Sequence, residues 1–232
     1  MLTNVQAETG TPGFAGGTSH AERMVMVREA LLEPPADFLI PDFADGVGCA
    51  LAGERNVGFR DTTYFDTADL RLAEHGITVR REHGIAGYRW TLVVTTDPGA
   101  PFPVRRRLRY DEPTPTVPSS LASYLRNHHR PVGIRPQAFV SGRADVLPLR
   151  MRGGQIPVGE IVNEGLETRN MSERVRTVRQ ITVVAFDLDG VALRLLEDTT
   201  SRLLDAGCRL EFVRGDLYRF IDPPTINEAA GG

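Results

Sequence analysis

Short runs of aromatic and β-branched residues, each bounded by Gly, Pro, Asp or Asn, recur along most of this sequence and constrain its fold more than any other feature. They fall at 24–32, 57–65, 77–81, 88–95, 104–110, 138–141, 146–151, 155–162 and 176–186, with a further candidate at 191–195. Runs this short, with side chains alternating in character, read as β-strands rather than helices. Consecutive strands joined by short turns pair antiparallel, and a sheet of about eight strands is relieved of its exposed edges by closing on itself. The expected fold is therefore α+β: an eight-stranded antiparallel β-barrel, closed or nearly so, with flanking helices. Three helices are expected. One spans 41–51, with Phe43, Val47 and Leu51 on a face. A second spans 118–127, capped by Ser119 or Ser120, with Leu121, Tyr124 and Leu125 inward. The last spans 198–206 and stops at Gly207. The Gly/Thr/Ser-rich opening, 1–21, and the closing 223–232 are expected to be mobile tails on one domain at 22–222.

Composition narrows function by exclusion. None of the 232 residues is lysine, so all 27 cations are arginine, and any mechanism that needs a lysine ammonium is excluded. A formal charge of -3 and a pI near 6.0 give no global attraction to nucleic acid or to an anionic membrane, so neither is an expected partner. Cys49 and Cys208 are too few and too far apart for a disulfide framework or a zinc site. The first 20 residues lack a signal-peptide pattern, and no apolar run reaches 18 residues, so a soluble cytoplasmic protein is expected. Asp187, Asp189 and Gly190 read as a hairpin turn, and His128-His129 as a surface helix end.

The segment 61–81, DTTYFDTADLRLAEHGITVRR, resembles the CYTH superfamily, the triphosphate tunnel proteins that include one class of adenylate cyclases, thiamine triphosphatases and inorganic triphosphatases. Tyr64-Phe65-Asp66-Thr67, Leu70-Arg71-Leu72, Gly76 and Thr78-Val79-Arg80-Arg81 carry the likeness. The stretch 34–43, PPADFLIPDF, is similar to the connection after the first strand in the actinobacterial branch that often carries a CHAD domain, and 203–207, LLDAG, to its final helix. The resemblance implies an eight-stranded tunnel with cations gripping a triphosphate and glutamates holding Mg²⁺ or Mn²⁺. It also implies a triphosphate or polyphosphate ligand, and a CHAD-type protein as a partner. A divalent metal held by converging carboxylates would polarise a phosphoryl oxygen or activate water.

The motif residues that this chemistry requires are only partly present. The family's E-x-E-x-K strand falls on 27–31, where Glu29 is kept and Leu31 replaces the lysine; in a shifted register, 24–28, Arg28 alone remains. The lysine that ends a later strand is replaced by Thr91 or Val93, and the glutamate-bearing strand corresponds to 180–186, which holds no acid. Arg80 keeps the family's first arginine position, with Glu82 where a second would follow. Arg105, Arg107 and Arg109 share one strand face, either a solvated edge or a tunnel lining. Arg143 stands in for an arginine-rich strand, and Glu160 and Glu164 survive from an acidic one. The resemblance thus implies phosphate contacts from Arg80, Arg105, Arg107 and Arg143, and metal contacts from Glu29, Glu160 and Glu164. Two functions follow from it: a catalytically degenerate triphosphate- or polyphosphate-binding or scaffolding protein, or a divergent metal-dependent triphosphatase.

Overall fold

The computed structural model describes residues 23–41, 43, 50–84, 87–110, 112–128, 133–151, 154, 156–186, 190–212 and 216–221. Its strands are β1 (Arg23–Glu33), β2 (Ala50–Ala52), β3 (Asn56–Asp66), β4 (Ile77–Gly84), β5 (Gly87–Thr96), β6 (Val104–Tyr110), β7 (Arg135–Met151), β8 (Pro157–Asn170), β9 (Val175–Ala185) and β10 (Arg209–Glu211). The helices are α1 (Arg71–Glu74), α2 (Ser119–His128) and α3 (Gly190–Asp205), followed by a 3-10 turn at Asp216–Arg219. Around the barrel the strands run β1-β6-β5-β4-β3-β7-β8-β9, and β9 pairs back onto β1 through Arg28↔Ala185 to Leu32↔Ile181. All these pairings are antiparallel, so eight strands close. The short β2 and β10 pair with the ends of β7 and β1, beyond the residues paired with β3 and β6.

Closure assigns each side chain to one of two environments, because successive residues point to opposite faces. On β1, Ala30 and Leu32 are buried outside the barrel while Glu29 and Leu31 line its interior. On β9, Ile181, Val183 and Ala185 face out against α3, and Gln180, Thr182 and Val184 face in. Leu195, Thr199 and Leu203 of α3, spaced by four, are all buried, as are Leu196 and Thr200. Gly207 follows the helix at φ 94 and donates its N–H to Leu204, and the Cys208 N–H bonds Leu203, the left-handed termination expected of glycine at that place. A second cluster packs α2 through Leu121 and Leu125 onto the outer faces of β4, β5 and β6 at Val79, Trp90, Leu92 and Leu108. Two buried clusters thus lie on the barrel's outside, while a third joins inward positions of β3, β7 and β8, at Tyr64, Val140 and Leu166, to Leu217 and Phe220, and the remaining interior is lined by charged residues with apolar ones between them.

Asp66, the acid within the segment 61–81, serves the backbone. Its carboxylate accepts N–H bonds from Thr67, Leu72 and Ala73 at 2.6 to 3.0 Å, which holds the tight β3–β4 connection. Burial raises its pKa against these bonds.

Several elements differ from expectation. Residues 191–195 are not a strand: they open α3, which begins eight residues before the expected 198, because Ala192, Leu195 and Leu196 continue the apolar stripe of Thr199, Thr200 and Leu203 at helical spacing. Gly190 accordingly starts a helix rather than closing a hairpin, and 187–189 lie outside the described residues. Most of the expected helix at 41–51 also lies outside them, and Leu51 belongs to β2. The two runs 138–141 and 146–151 are one strand, β7. The bridge is possible because Gly142 presses against β8: a Cβ there would stand 2.1 Å from the Gly165 carbonyl oxygen. Neither Ser119 nor Ser120 precedes α2 as a cap; the Pro118 carbonyl accepts from Ala122, and Ser120 bonds Glu112 instead.

Candidate functional site in the barrel interior

The barrel encloses a cavity of about 770 Å³. Six arginines line it, Arg60, Arg80, Arg89, Arg105, Arg107 and Arg219, together with six carboxylates, Glu29, Asp61, Glu82, Glu160, Glu164 and Asp216. Leu31, Val93, Val146, Val162 and Val184 supply apolar patches between them. On β1, Glu29 and Leu31 both face inward, the strand face that the 27–31 alignment uses. Val93 rather than Thr91 lines the cavity from β5. Val27 is buried but contributes nothing to the lining.

The charges are arranged as pairs. Glu29, 5% exposed, has both oxygens engaged: Oε1 accepts from Arg107, and Oε2 lies 3.1 Å from Arg105 Nε. Arg105 also reaches Asp216 Oδ1 at 2.5 Å through Nη1. Arg60 bonds Glu164 Oε1 at 2.6 Å and the Tyr64 hydroxyl at 3.1 Å, while Gln180 donates to the other Glu164 oxygen. Arg219 donates to the Gln180 side-chain carbonyl and to Glu211. Arg80 Nε lies 3.3 Å from Glu82. The buried Nε atoms of Arg80 and Arg105 approach carboxylates in this way without the alignment of a hydrogen bond, so each keeps an unsatisfied donor inside the cavity.

Titration follows from this pairing. Burial works to raise the Glu29 pKa, but Arg107 and Arg105 outweigh it and hold the group below its ordinary value. Burial likewise opposes ionisation of Asp216, yet Arg105 and Arg80 bring its pKa down to about 2. Glu82 is lowered against its own burial by Arg80, Arg60 and more distant arginines. Glu160 behaves oppositely. It has no ion-pair partner among the described residues, and burial, reinforced by Glu29 and Glu164, raises its pKa despite Arg107 and Arg109.

Of the residues singled out in the sequence, Arg80, Arg105, Arg107, Glu29, Glu160 and Glu164 come together in this cavity. The basic stripe on β6 is therefore tunnel lining, not a solvated edge, at Arg105 and Arg107; Arg109 is exposed at its end. Arg143 does not join them. Its side chain is 64% exposed on β7 and pairs with Asp145, because the inward positions of that strand fall on Ala144 and Val146. Arg60, Asp216 and Arg219 were not singled out. Arg60 sits at an inward position four residues before Tyr64, a spacing visible in the sequence, whereas Asp216 and Arg219 arrive through a turn 111 residues from Arg105 and 39 from Gln180, their partners on the barrel strands.

The carboxylates do not fit the Mg²⁺ or Mn²⁺ that the resemblance implies. Among the described residues no three His, Cys, Asp or Glu side chains converge on one point. Glu29 is paired with Arg105 and Arg107, and both oxygens of Glu164 accept hydrogen bonds from Arg60 and Gln180, which leaves Glu160 as the unpaired one of the three.

The chain is thus a closed eight-stranded antiparallel barrel with a charged interior. Among solved structures, the chain is similar to a candidate adenylate cyclase from Bacillus halodurans, with 11% identity and a TM-score of 0.54 over 86% of this chain and 98% of that one. Weaker likenesses are to a Pyrococcus horikoshii OT3 protein (8% identity, TM-score 0.44, 80% of this chain and 93% of that one) and to a candidate adenylyl cyclase from Hippeastrum with a dominant triphosphatase activity (14%, 0.42, 81% and 90%). No protein-family model and no curated protein matches the chain. At such identities the likeness establishes the barrel and nothing of its chemistry.

Proposed function

We propose that this chain is a non-hydrolytic binder of short polyphosphates, a tunnel that keeps arginine donors for phosphate but has exchanged its metal centre for internal ion pairs. The observation that carries this reading is Glu29. It occupies the strand position where the family resemblance implies a metal-holding acid, and both its oxygens are engaged by Arg105 and Arg107. A carboxylate so paired has its charge balanced by two guanidinium groups, which opposes a divalent cation at the same place, and Leu31 stands where the resemblance implies a lysine. Arginine can still grip phosphate in two-point contacts, and Arg80, Arg105 and Arg107 converge on the cavity to do so. An interior with equal numbers of arginines and carboxylates binds a polyanion weakly, since each arginine must be drawn from a partner.

Phosphate release tests the reading. Purified protein with Mg²⁺ or Mn²⁺ is expected to liberate no phosphate from inorganic triphosphate, ATP or thiamine triphosphate above a heat-inactivated control. Turnover that Glu29→Gln abolishes would overturn it. Such turnover would favour the second reading, a divergent metal-dependent triphosphatase, for which the unpaired Glu160 is the observation in hand.

A further inference from the structure

The 3-10 turn Asp216–Arg219 carries a carboxylate into the cavity that no barrel strand supplies. Asp216 Oδ1 stands 2.5 Å from Arg105 Nη1, with side chains 14% and 8% exposed, and Arg80 and Arg219 add to the positive field around it. An oxyanion enclosed by guanidinium groups is the arrangement a phosphoryl group would make with the same side chains. The turn does not depend on this contact for its position. Leu217, Phe220 and Ile221 are buried, the Phe220 ring lies 4.9 Å from that of Tyr64, and Arg219 is tied to Glu211 and Gln180.

We propose that Asp216 is a built-in anion that occupies Arg105 in place of a phosphoryl group, and thereby weakens polyphosphate binding in the cavity. The inference rests on the tunnel being a polyphosphate site. The buried Nε donors of Arg80 and Arg105, both without a hydrogen-bond partner, show that the carboxylates present do not use up the cavity's capacity for an anion. With its pKa near 2, Asp216 stays ionised throughout the neutral range, so this competition is a constant feature of the site.

The test is calorimetric titration of inorganic triphosphate and of orthophosphate at low salt into the full chain and into Asp216→Asn, which keeps the shape and removes the charge. Releasing one charge-assisted contact on Arg105 is worth about a tenfold gain. Triphosphate is expected to bind the variant about tenfold more tightly, with a smaller gain for orthophosphate. A merely structural aspartate would lower the melting temperature and leave affinity unchanged or reduced. Equal affinity of the two proteins for triphosphate would overturn the role of Asp216 while leaving the binding reading intact. Absence of binding to both proteins would overturn that reading, and this inference with it. Asp216→Ala serves as the second variant and is expected to show the same gain. If neither variant folds, the inference is also overturned, because it requires the turn to stand on Leu217, Phe220 and Ile221.

Discussion

Glu29→Gln separates an internal ion-pair network from an empty metal centre by the sign of its effect on stability. Glutamine keeps the volume and one acceptor oxygen but removes the charge that faces Arg105 and Arg107, which are 8% and 19% exposed. Breaking a buried pair from one side costs about 3–5 kcal/mol when the remaining charge is stranded. Here Arg105 keeps Asp216 and Arg107 reaches some solvent, so neither charge is fully stranded and the cost falls below that range, to about 2–3 kcal/mol. For a chain of this size each kcal/mol moves the melting temperature by about 2–4 °C, so a fall of about 5–10 °C is expected. A metal centre without its ion gives the reverse: its carboxylates repel one another, and neutralising one stabilises the protein. The assay is thermal unfolding in EDTA at neutral pH, repeated with excess Mg²⁺. Glu29→Gln melting at or above the wild type in EDTA, together with loss of a metal-induced shift that the wild type shows, would refute the ion-pair account.

Glu160→Gln is expected to do the opposite of Glu29→Gln and raise stability at neutral pH. The folded-state pKa of Glu160 is raised above its ordinary value, so the wild type is penalised once pH exceeds that folded pKa, and the gain should vanish as pH falls below the ordinary glutamate range, as unfolding at several pH values would reveal. Asp216 has the converse signature: its contribution is present above its unfolded value near 3.8 and is lost as pH falls through about 2, so Asp216→Asn should flatten the acid limb of the stability curve. Gly142→Ala should destabilise the β7–β8 pair by about 1–3 kcal/mol or prevent folding, since the added carbon meets backbone that cannot move aside, and denaturant unfolding measures it. Leu31→Lys should leave the fold intact, because Leu31 faces the cavity rather than the packed outer layer, and should tighten triphosphate binding in a salt-sensitive way when titrated at two ionic strengths.

The barrel was legible in the sequence because its information is local: strand runs, turn residues and the segment 61–81 each speak for themselves. What misled was also local. The run 191–195 has the β-branched and aliphatic look of a strand, and its helical identity depends on Thr199, Thr200 and Leu203 extending the same stripe a turn further on. Gly142 in the middle of β7 read as a break because a glycine needed for close approach to β8 looks the same as one needed for a turn. Within the site, alternation along a strand was enough to bring Arg105 with Arg107, and Glu160 with Glu164, to one face. Arg143 failed that rule by one position, since Ala144 and Val146 take the inward places.

Which charge meets which was not legible, and that pairing decides what the tunnel can do. Glu29 and Arg107 are 78 residues apart, Arg60 and Glu164 are 104, and Arg105 and Asp216 are 111, so each pair exists only once the barrel has closed. Counted as composition, six arginines in a cavity suggest a strong anion trap; counted as pairs, most of that charge is already spent on neighbouring carboxylates. The interior is thus made of its own ion pairs, and on the binding reading any phosphate must compete with Glu29 and Asp216 for the same guanidinium groups. Stability and affinity are therefore opposed in this tunnel. A substitution that frees an arginine should cost folding energy and gain phosphate binding together, and a variant series in which the two quantities vary independently would show that the ion pairs lie outside the binding path.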